Sequence, residues 1–348
     1  MKPIVGIIAN PVSARDIRRV VASAASLQIA DRANILLRVL AALAACGIEQ
    51  VLMMPERGGI GAHVARGIDR FSKHGENRFP RVVHLDMPVT GTAEDTRRAA
   101  SMLRNANVAA IVVLGGDGTH RAVVSQCGSV PIAGISTGTN NAFPEHREPT
   151  VIGLAAGLAV MGLVPRATAY TPNKKIEITV GRDRTDIALV DVALVTDGYV
   201  GARAVWRMET LSELFVTFAD PEVIGLAAIA GLIEPVSRRE GGGLMVRFAR
   251  TSDAQFALSA PVAPGVVETL GVGDWRRMPA SVPFAPSLKS GTIALDGERE
   301  IFFSERDEVS MTLIDNAFQT VDVAATMRFA AIEGLFRHYQ QMQLLSLA

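Results

Sequence analysis

Cysteines and aromatic residues are scarce in this sequence, and its charges balance. Aromatic residues make up 5% of the chain, and the cysteines are two, Cys46 and Cys127. Without a CxxC pair or a Cys/His cluster, the sequence has neither a disulfide framework nor a zinc site, and we expect a reducing cytoplasm. Lys plus Arg and Asp plus Glu number 35 each. No overall positive field therefore exists to hold a nucleic-acid backbone or an anionic membrane.

Long apolar stretches are also missing. The longest, Val151–Val164, contains three glycines and is shorter than the roughly 20 residues that a membrane helix needs. Met1–Pro11 lacks the pattern of a signal peptide, and we interpret it as a first β-strand. What is present is 49% hydrophobic residues, broken by turns, in a chain of 348 residues. This is a globular composition, and the length favours two domains over one.

The first half of the chain alternates short β-branched segments with helical patterns. This alternation is typical of a parallel sheet with helices on both faces, a Rossmann-like α/β fold. Helices are predicted over Ile35–Cys46, which ends at Gly47, and over Thr92–Arg104, which opens with Thr92 and Asp95 as a capping box. The predicted strands are Ile4–Ala9, Gln50–Met54, Arg81–Leu85, Ala109–Leu114 and Pro131–Ile135.

The second half is rich in strands and predicts an antiparallel sheet. We predict domains over residues 1–165 and 166–320 and a C-terminal helix in 321–348 that packs back on the body, formed by Thr326–Leu345. Helical patches are predicted over Glu209–Phe218 and Glu222–Leu232. The predicted strands are Lys175–Val180, Asp186–Thr196, Leu244–Phe248, Gly265–Val272 and Glu308–Ile314.

A Gly-Gly-Asp-Gly-Thr sequence, Gly115–Thr119, follows a predicted strand and precedes a predicted helix. Glycines allow positive φ angles and close approach to a ligand, and the N–H groups at a helix start attract phosphate. The carboxylate of Asp117 is suited to accept a hydroxyl proton or to orient Mg²⁺. We therefore predict a phosphate-binding turn formed by Gly115, Gly116, Gly118 and Thr119, although such turns also occur as tight connections without a ligand.

This turn resembles the GGDGT signature of NAD kinases, diacylglycerol and sphingosine kinases and 6-phosphofructokinases. The whole chain is most similar to the ATP-NAD kinase-like family, in the branch that contains the AcoX-type acetoin-catabolism proteins. Asn10–Ser13 resembles the NPxSG turn of the lipid kinases, and Thr92–Thr96 resembles a stretch of archaeal-type NAD kinase relatives. The resemblance implies a nucleotide pocket that includes Asn10.

Ile135–Pro144 resembles the GTGNDFA element of the lipid kinases, which forms part of their nucleotide pocket. The resemblance assigns Gly138, Thr139, Asn140 and Asn141 to nucleotide binding. The aspartate of the family is Asn141 here, so the chain has lost a charge at this position. An Asn-rich turn capped by its own side chains is the alternative.

Two further stretches with acidic residues resemble family elements. Val190 and Asp191 lie where NAD kinases carry an Asn-Glu pair that holds the nicotinamide-side ribose, and Asp296–Glu298 resembles the DGE turn of the lipid kinases. The resemblance places Asp191, Asp296 and Glu298 near the nucleotide. A structural strand around Asp191 and a simple Asp-Gly hairpin are the alternatives.

Several other side chains have simpler explanations. The charged cluster Arg15–Arg19 could clamp an acceptor phosphate, but such clusters are more often a solvated helical turn. His120 follows the glycine turn, and we expect it to face solvent or to cap the helix. Trp206 and Met208 are interpreted as core residues.

The resemblance implies phosphoryl transfer from ATP, with Mg²⁺, to a hydroxyl group of NAD or of a small metabolite. Asp117 is the expected catalytic residue, and no protein metal site beyond the nucleotide's Mg²⁺ is predicted. We expect a homo-oligomer with no nucleic-acid or membrane partner. A nucleotide-binding accessory or sensor protein without turnover is the alternative, and a membrane lipid kinase would require an apolar or basic entry surface that the sequence does not reveal.

Overall fold

A computed structural model of the protein describes residues 2–11, 27–73, 78–137, 141–196 and 208–337. The described strands are, in chain order, β1 (Val5–Ala9), β2 (Gln50–Met53), β3 (Arg81–His84), β4 (Ala110–Gly115), β5 (Ile132–Ser136), β6 (Tyr170–Val180), β7 (Arg184–Ala188), β8 (Asp191–Val195), β9 (Leu211–Val216), β10 (Gly243–Ala249), β11 (Phe256–Ala263), β12 (Val266–Met278), β13 (Pro283–Phe284), β14 (Gly291–Leu295), β15 (Glu298–Phe303) and β16 (Val309–Val321).

The described α-helices are α1 (Ile29–Ala45), α2 (Ile60–Lys73), α3 (Ala93–Asn105), α4 (Asp117–Cys127), α5 (Pro149–Val160), α6 (Arg166–Ala169), α7 (Leu226–Gly231) and α8 (Val323–Ile332). No helix among the described residues combines the length and the apolar character that crossing a membrane requires. The five predicted strands of the first half and both of its predicted helices are present, with ends shifted by a few residues.

The first five strands form the parallel sheet that the sequence predicts, in the order β3-β2-β1-β4-β5. β1 and β4 lie in its centre and are buried on both faces, which explains their continuous apolar sequences. Ile7 and Leu36 belong to the core on the face of α1, whereas Ile8, Leu103 and Val123 belong to the core on the face of α3 and α4. The carboxyl ends of β1, β4 and β5 therefore meet at one open edge.

The second half contributes strands to both sheets of the protein. β16, β6 and β7 extend the first sheet beyond β5, with β16 parallel to β5 and antiparallel to β6. The short strand β13 pairs with β16 in the same sheet. Seven other strands form an antiparallel sheet in the order β11-β12-β10-β9-β8-β14-β15. Ile176, Leu313, Phe215 and Met245 share one core between the two sheets. The antiparallel prediction for this half is confirmed.

The elements predicted for two segments of this half are wrong. Glu209–Phe218 is not helical but forms a short 3₁₀ turn, Met208–Thr210, followed by strand β9. All but one residue of β9 is buried, Glu213 included, so its apolar residues show no two-residue period that would distinguish a strand from a helix. Asp186–Thr196 contains two strands, β7 and β8, instead of one.

The predicted helix Glu222–Leu232 is too long, because Gly225 has φ 91° and caps the shorter helix α7. The C-terminal helix begins earlier than predicted, at Val323, where the Asp322 side chain accepts the Ala325 N–H. It ends at Ile332, shortly before Gly334 with φ 69°. Residues 338–348 lie outside the described residues.

Candidate functional site

A glycine turn, Gly115–Thr119, links the end of β4 to the start of α4. Gly115 is the last residue of the strand, and Asp117 is the first residue of the helix. Since β4 lies between β1 and β5, the turn lies at the carboxyl edge of the parallel strands, where open α/β sheets bind ligands. The first turn of a helix also presents backbone N–H groups that have no partner within the helix.

The glycines of the turn serve close packing and not unusual backbone angles. Gly116 has φ −92°, and none of the three has the positive φ that the sequence suggested, so that expectation is wrong. A Cβ on Gly115 would lie 2.5 Å from the Thr119 Cβ, and one on Gly116 would lie 2.8 Å from Asn141 Oδ1. Gly118 is exposed, and a Cβ there would meet no atom of the described residues within 4 Å. The turn is therefore packed at its base and open at Gly118.

The end of β1 meets the glycine turn through Asn10. Asn10 Nδ2 donates to Thr119 Oγ1 over 3.1 Å. Arg32 of α1 is buried and donates to the Asn10 carbonyl oxygen over 2.9 Å. The rest of Asn10–Ser13 after Pro11 and the Arg15–Arg19 cluster lie outside the described residues.

The end of β5 meets the glycine turn through Asn141. Asn141 Nδ2 donates to Ser136 Oγ over 2.9 Å, and the amide oxygen of Asn141 lies against Gly116. Gly138, Thr139 and Asn140 are outside the described residues, so their contacts with a nucleotide stay predictions.

The carboxylate of Asp117 binds the backbone of the following loop. Asp117 Oδ2 accepts the Ala142 N–H and Oδ1 accepts the Phe143 N–H, each over 3.0 Å. Arg238 donates to the carbonyl oxygens of the same two residues, over 3.1 Å in the case of Phe143. The Arg238 guanidinium carbon also lies 3.8 Å from the ring centre of Phe218. Asp117, which is half-buried, is thus held in one orientation at the mouth of the turn.

The Asp-Gly hairpin, given above as the alternative, is present, and its aspartate is buried. Asp296 and Gly297 join β14 to β15 with φ 50° and 80°, the positive angles of a type I′ turn. Asp296 Oδ1 accepts the N–H groups of Leu189 and Val190 over 2.9 Å and 2.8 Å. Its Oδ2 lies 3.7 Å from Nε of Arg121 in α4, and both side chains are buried. This contact joins the second sheet to the helix of the glycine turn.

Asp191 serves the same hairpin. It is buried, its Oδ1 accepts the Gly297 N–H over 3.2 Å, and its carbonyl oxygen accepts the Asp296 N–H over 2.9 Å. Val190 is buried beside it. Glu298, the first residue of β15, is half-buried. These contacts favour a structural role for Asp191 over a ribose contact.

Burial raises the pKa of Asp296 to about 7. The positive charge of Arg121 opposes this rise, and the negative charge of Asp117 adds to it. Asp117, Arg121 and Asp296 therefore form one electrostatic cluster between α4 and the hairpin.

Two family models match the two halves of this chain. The model of the ATP-NAD kinase N-terminal domain matches residues 5–160, and that of the acetoin catabolism protein X C-terminal domain matches residues 174–316. Acetoin catabolism protein X of Cupriavidus necator is 54% identical over 97% of this chain and 95% of its own length. The chain belongs to the acetoin catabolism protein X family. A crystal structure of yeast NADH kinase complexed with NADH has 13% identity and a TM-score of 0.49, over 98% of this chain and 90% of that chain.

In this family member the residues around the glycine turn come from both matched regions. The glycine turn, Asn10 and Arg121 lie in the NAD kinase-like region, whereas Arg238 and Asp296 lie in the region of the C-terminal domain. The site geometry therefore depends on both halves of the chain.

His120 is fully buried, so of its two expected roles, facing solvent or capping the helix, the first is wrong. Its Nδ1 lies 2.9 Å from the carbonyl oxygen of Gly116, the N-cap residue of α4, and its ring packs against Phe143. Burial lowers the pKa of His120 to about 4, so the ring is neutral at pH 7. His120 thus contacts the glycine turn on its buried side. Met208 is buried, as predicted, and Trp206 lies outside the described residues.

Sequence reasoning missed three arginines around the site, Arg32, Arg121 and Arg238. Arg121 carried a usable signal, since it lies two residues after the glycine turn in a predicted first helical turn. Arg32 and Arg238 lie far from the motifs, and only the fold brings them to the site.

The described residues contain no group of three His, Cys, Asp or Glu side chains placed to hold a metal ion. Mg²⁺ in phosphoryl-transfer sites often uses one or two carboxylates together with substrate phosphates and water. Asp117 at the mouth of the glycine turn fits that arrangement. A separate cavity of about 720 Å³ lies between α2 and β2–β3 and shares no lining residue with the turn.

Proposed function

We propose that this protein is an ATP-dependent phosphotransferase that acts on a hydroxyl group of NAD or of a small metabolite. The observation that carries the proposal is the glycine turn, which ends a central parallel strand and opens a helix, and in which Gly118 is exposed with space for a Cβ among the described residues. Phosphate oxygens can approach the backbone at Gly118 more closely than they could if this position carried a side chain.

The charges around the turn suit a polyanionic ligand. The buried arginines Arg32 and Arg121 and the half-buried Arg238 contribute positive charge close to the turn. Gly115, Gly116, Gly118 and Thr119 would hold phosphates, and Asn10 and Asn141 would keep the turn in shape through their contacts with it. Thr139 and Asn140 are proposed to contact the nucleotide.

Asp117 is the proposed catalytic residue. Its two oxygens are held by amide N–H groups, and a carboxylate oxygen can accept more than one hydrogen bond. In the proposed reaction it accepts the proton of the attacking hydroxyl or orients Mg²⁺, which would neutralise phosphate charge when bound with ATP. Catalysis of this type depends mainly on positioning and charge stabilisation, which a fixed carboxylate provides.

The acceptor is proposed to be a small hydroxyl-bearing metabolite more readily than NAD. Val190 replaces the asparagine of the NAD kinase pair, and the Asp191 carboxylate contacts the hairpin turn. The name of the Cupriavidus necator relative places that protein in acetoin catabolism. We propose a diol or acyloin-derived compound of that pathway as the acceptor.

An accessory or sensor protein without turnover is the second candidate. Two features favour it. The Ala142 and Phe143 N–H groups already donate hydrogen bonds to the Asp117 carboxylate, and asparagine stands at position 141 in place of the family's aspartate. Both reduce the negative charge available to a metal or a hydroxyl. Such a protein would bind ATP through the glycine turn without transferring phosphate.

Purified protein incubated with ATP, Mg²⁺ and either NAD or vicinal diols tests the proposal. We expect ADP formation that depends on the acceptor and falls at least about 100-fold in Asp117→Asn, because a positioned general base contributes about that much. Asp253→Asn, an exposed aspartate in a distant turn, is the matched control and should keep full activity. ATP binding without acceptor-dependent ADP would instead support the sensor.

A further inference from the structure

We propose that Arg238 is a positioning residue that acts on Asp117 through the peptide group between Ala142 and Phe143. The proposal rests on the proposed function, in which Asp117 acts on the acceptor hydroxyl or on Mg²⁺. It adds a residue from the C-terminal half of the chain to the machinery of the glycine turn.

A single peptide group connects the two charged side chains. Its carbonyl oxygen belongs to Ala142 and accepts a hydrogen bond from Arg238. Its N–H belongs to Phe143 and donates to Asp117 Oδ1 over 3.0 Å. A cation at the oxygen and an anion at the hydrogen polarise the amide in the same sense, so each bond strengthens the other. The guanidinium thereby tightens the hold of the peptide on the carboxylate.

A second set of bonds fixes the orientation of the carboxylate. Asp117 Oδ2 accepts the Ala142 N–H over 3.0 Å, while Arg238 also donates to the Phe143 carbonyl oxygen over 3.1 Å. Both oxygens of Asp117 are held, so the carboxylate cannot rotate without breaking a bond. Removing Arg238 would free two carbonyl groups and let the loop move away from Asp117.

Arg238 is itself held by its surroundings. Its guanidinium lies over the Phe218 ring. Burial lowers the pKa of Arg238, and the charges of Glu145, Asp117 and Asp220 oppose that effect and favour the cation. The loop that carries Arg238 is anchored separately.

That anchor is Lys174, which is buried in β6. Its ammonium group donates to three carbonyl oxygens of the Arg238 loop, those of Ser237, Glu240 and Gly242, over 3.0, 2.6 and 2.8 Å. Because this anchor does not involve the guanidinium, a substitution of Arg238 leaves the loop attached to the sheet.

Hydrogen exchange of the Ala142 and Phe143 amides tests the coupling without any turnover. We expect Arg238→Met and Asp117→Asn each to accelerate exchange of these amides at least about 10-fold, and the double variant to exchange no faster than the faster single variant. Arg239→Met is the matched control, because the neighbouring Arg239 is exposed and pairs with Asp322. Unchanged exchange in Arg238→Met, with the variant folded, overturns the proposal.

Kinetics test the positioning role where acceptor-dependent turnover is found. Arg238→Met is expected to lower kcat about 10- to 100-fold with KM for ATP within about 2-fold. A misplaced catalytic group slows the chemical step but does not weaken the binding of ATP. In the Asp117→Asn background the same substitution should have little further effect. Arg238→Lys, which keeps the charge but not the forked geometry, should recover only part of the rate.

The failure of the proposed function and that of this inference are distinguishable. Absence of acceptor-dependent ADP in the unchanged protein would contradict phosphoryl transfer, and the exchange experiment alone would then decide the coupling. Independent, multiplying effects of Arg238→Met and Asp117→Asn on kcat would show that Arg238 acts through packing and would overturn the positioning role.

Discussion

The three glycines of the turn occupy three different environments, although the motif alone does not distinguish them. Gly115 and Gly116 are in contact with Thr119 and Asn141, whereas Gly118 faces open space. The motif predicts the strand, the turn and the helix, because glycine and helix-start chemistry are local properties. Which glycine a ligand can reach depends on what packs around the turn, and that is decided by the strands that end beside it.

Replacing Gly118 with alanine separates stability from ligand binding. The added Cβ meets no atom of the part of the chain that the structure describes, and alanine favours the helical first turn, so we expect Gly118→Ala to be as stable as the original protein or up to about 0.5 kcal/mol more stable. The methyl group would occupy the space of a phosphate, so the Kd for ATP in calorimetry should rise at least about 10-fold. Gly157→Ala, whose Cβ would lie 2.6 Å from Cys46 Cβ, should show the reverse pattern. Undiminished ATP binding by Gly118→Ala would contradict the phosphate cradle.

Asp296 should make the stability of the protein depend on pH. Burial raises its pKa from 3.8 to about 7, so the native protein keeps a proton that the unfolded chain has lost between those pH values. The contribution of Asp296 to the free energy of unfolding is therefore fully present below pH 4 and is lost as the pH rises through 7.

Asp296→Asn removes this dependence. The free energy of unfolding of the original protein, minus that of Asp296→Asn, should fall by up to about 4 kcal/mol between pH 4 and pH 8, as urea titrations at several pH values would show. Asp253→Asn should show no such trend. A difference that stays constant with pH would mean that Asp296 is ionised throughout.

Among the elements, helix α3 begins at the predicted cap residue, but the predicted capping box is not formed. Thr92 caps the helix as expected, since its hydroxyl accepts the Glu94 N–H. Asp95 does not complete the predicted capping box, because its carboxylate binds the Thr90 and Gly91 N–H groups and the Thr90 hydroxyl. The Thr92–Thr96 stretch is thus a structural cap in this fold.

Asp95→Ala should destabilise the protein by about 2 kcal/mol in urea unfolding, because three donors lose their acceptor. Burial acts to raise the pKa of Asp95, but the bonds from Thr90 and Gly91 outweigh it and lower the pKa. The stabilisation should therefore be present above pH 4 and be lost as the pH falls further. Glu94→Ala, which removes an exposed partner of Arg97, should change stability by less than about 0.5 kcal/mol. Equal effects of the two substitutions would contradict the cap.

At the scale of the whole molecule, the first sheet does not end where the parallel strands end. β16 lies beside β5, and β6 and β7 follow it. Ala169, Tyr170, Val321 and Ala330, all beyond residue 165, belong to the same core as α1. The proposed boundary at residue 165 therefore separates two sequence patterns, but residues on both sides of it pack into the same hydrophobic core.

A fragment of residues 1–165 tests the independence of the first half. We expect it to lack a cooperative thermal transition and to associate in size-exclusion chromatography, because β5 would become an exposed edge strand and the core would lose its C-terminal residues. The fragment and the full chain should be compared by circular dichroism under identical conditions. A monomeric fragment with a sharp transition would show that 1–165 is an autonomous domain.

The sequence by itself determined the parallel strands, their helices, the antiparallel second half and the position of the glycine turn. Each depends on interactions between residues close in the chain, which leave a readable period or motif. Tertiary structure alone decided that Glu209–Phe218 contains a strand, that Asp191 and Asp296 support one hairpin, and that Arg32, Arg121 and Arg238 surround the turn. A strand that is buried on both faces has no two-residue hydrophobic period. The sequence around a charged side chain does not indicate a partner that is distant along the chain.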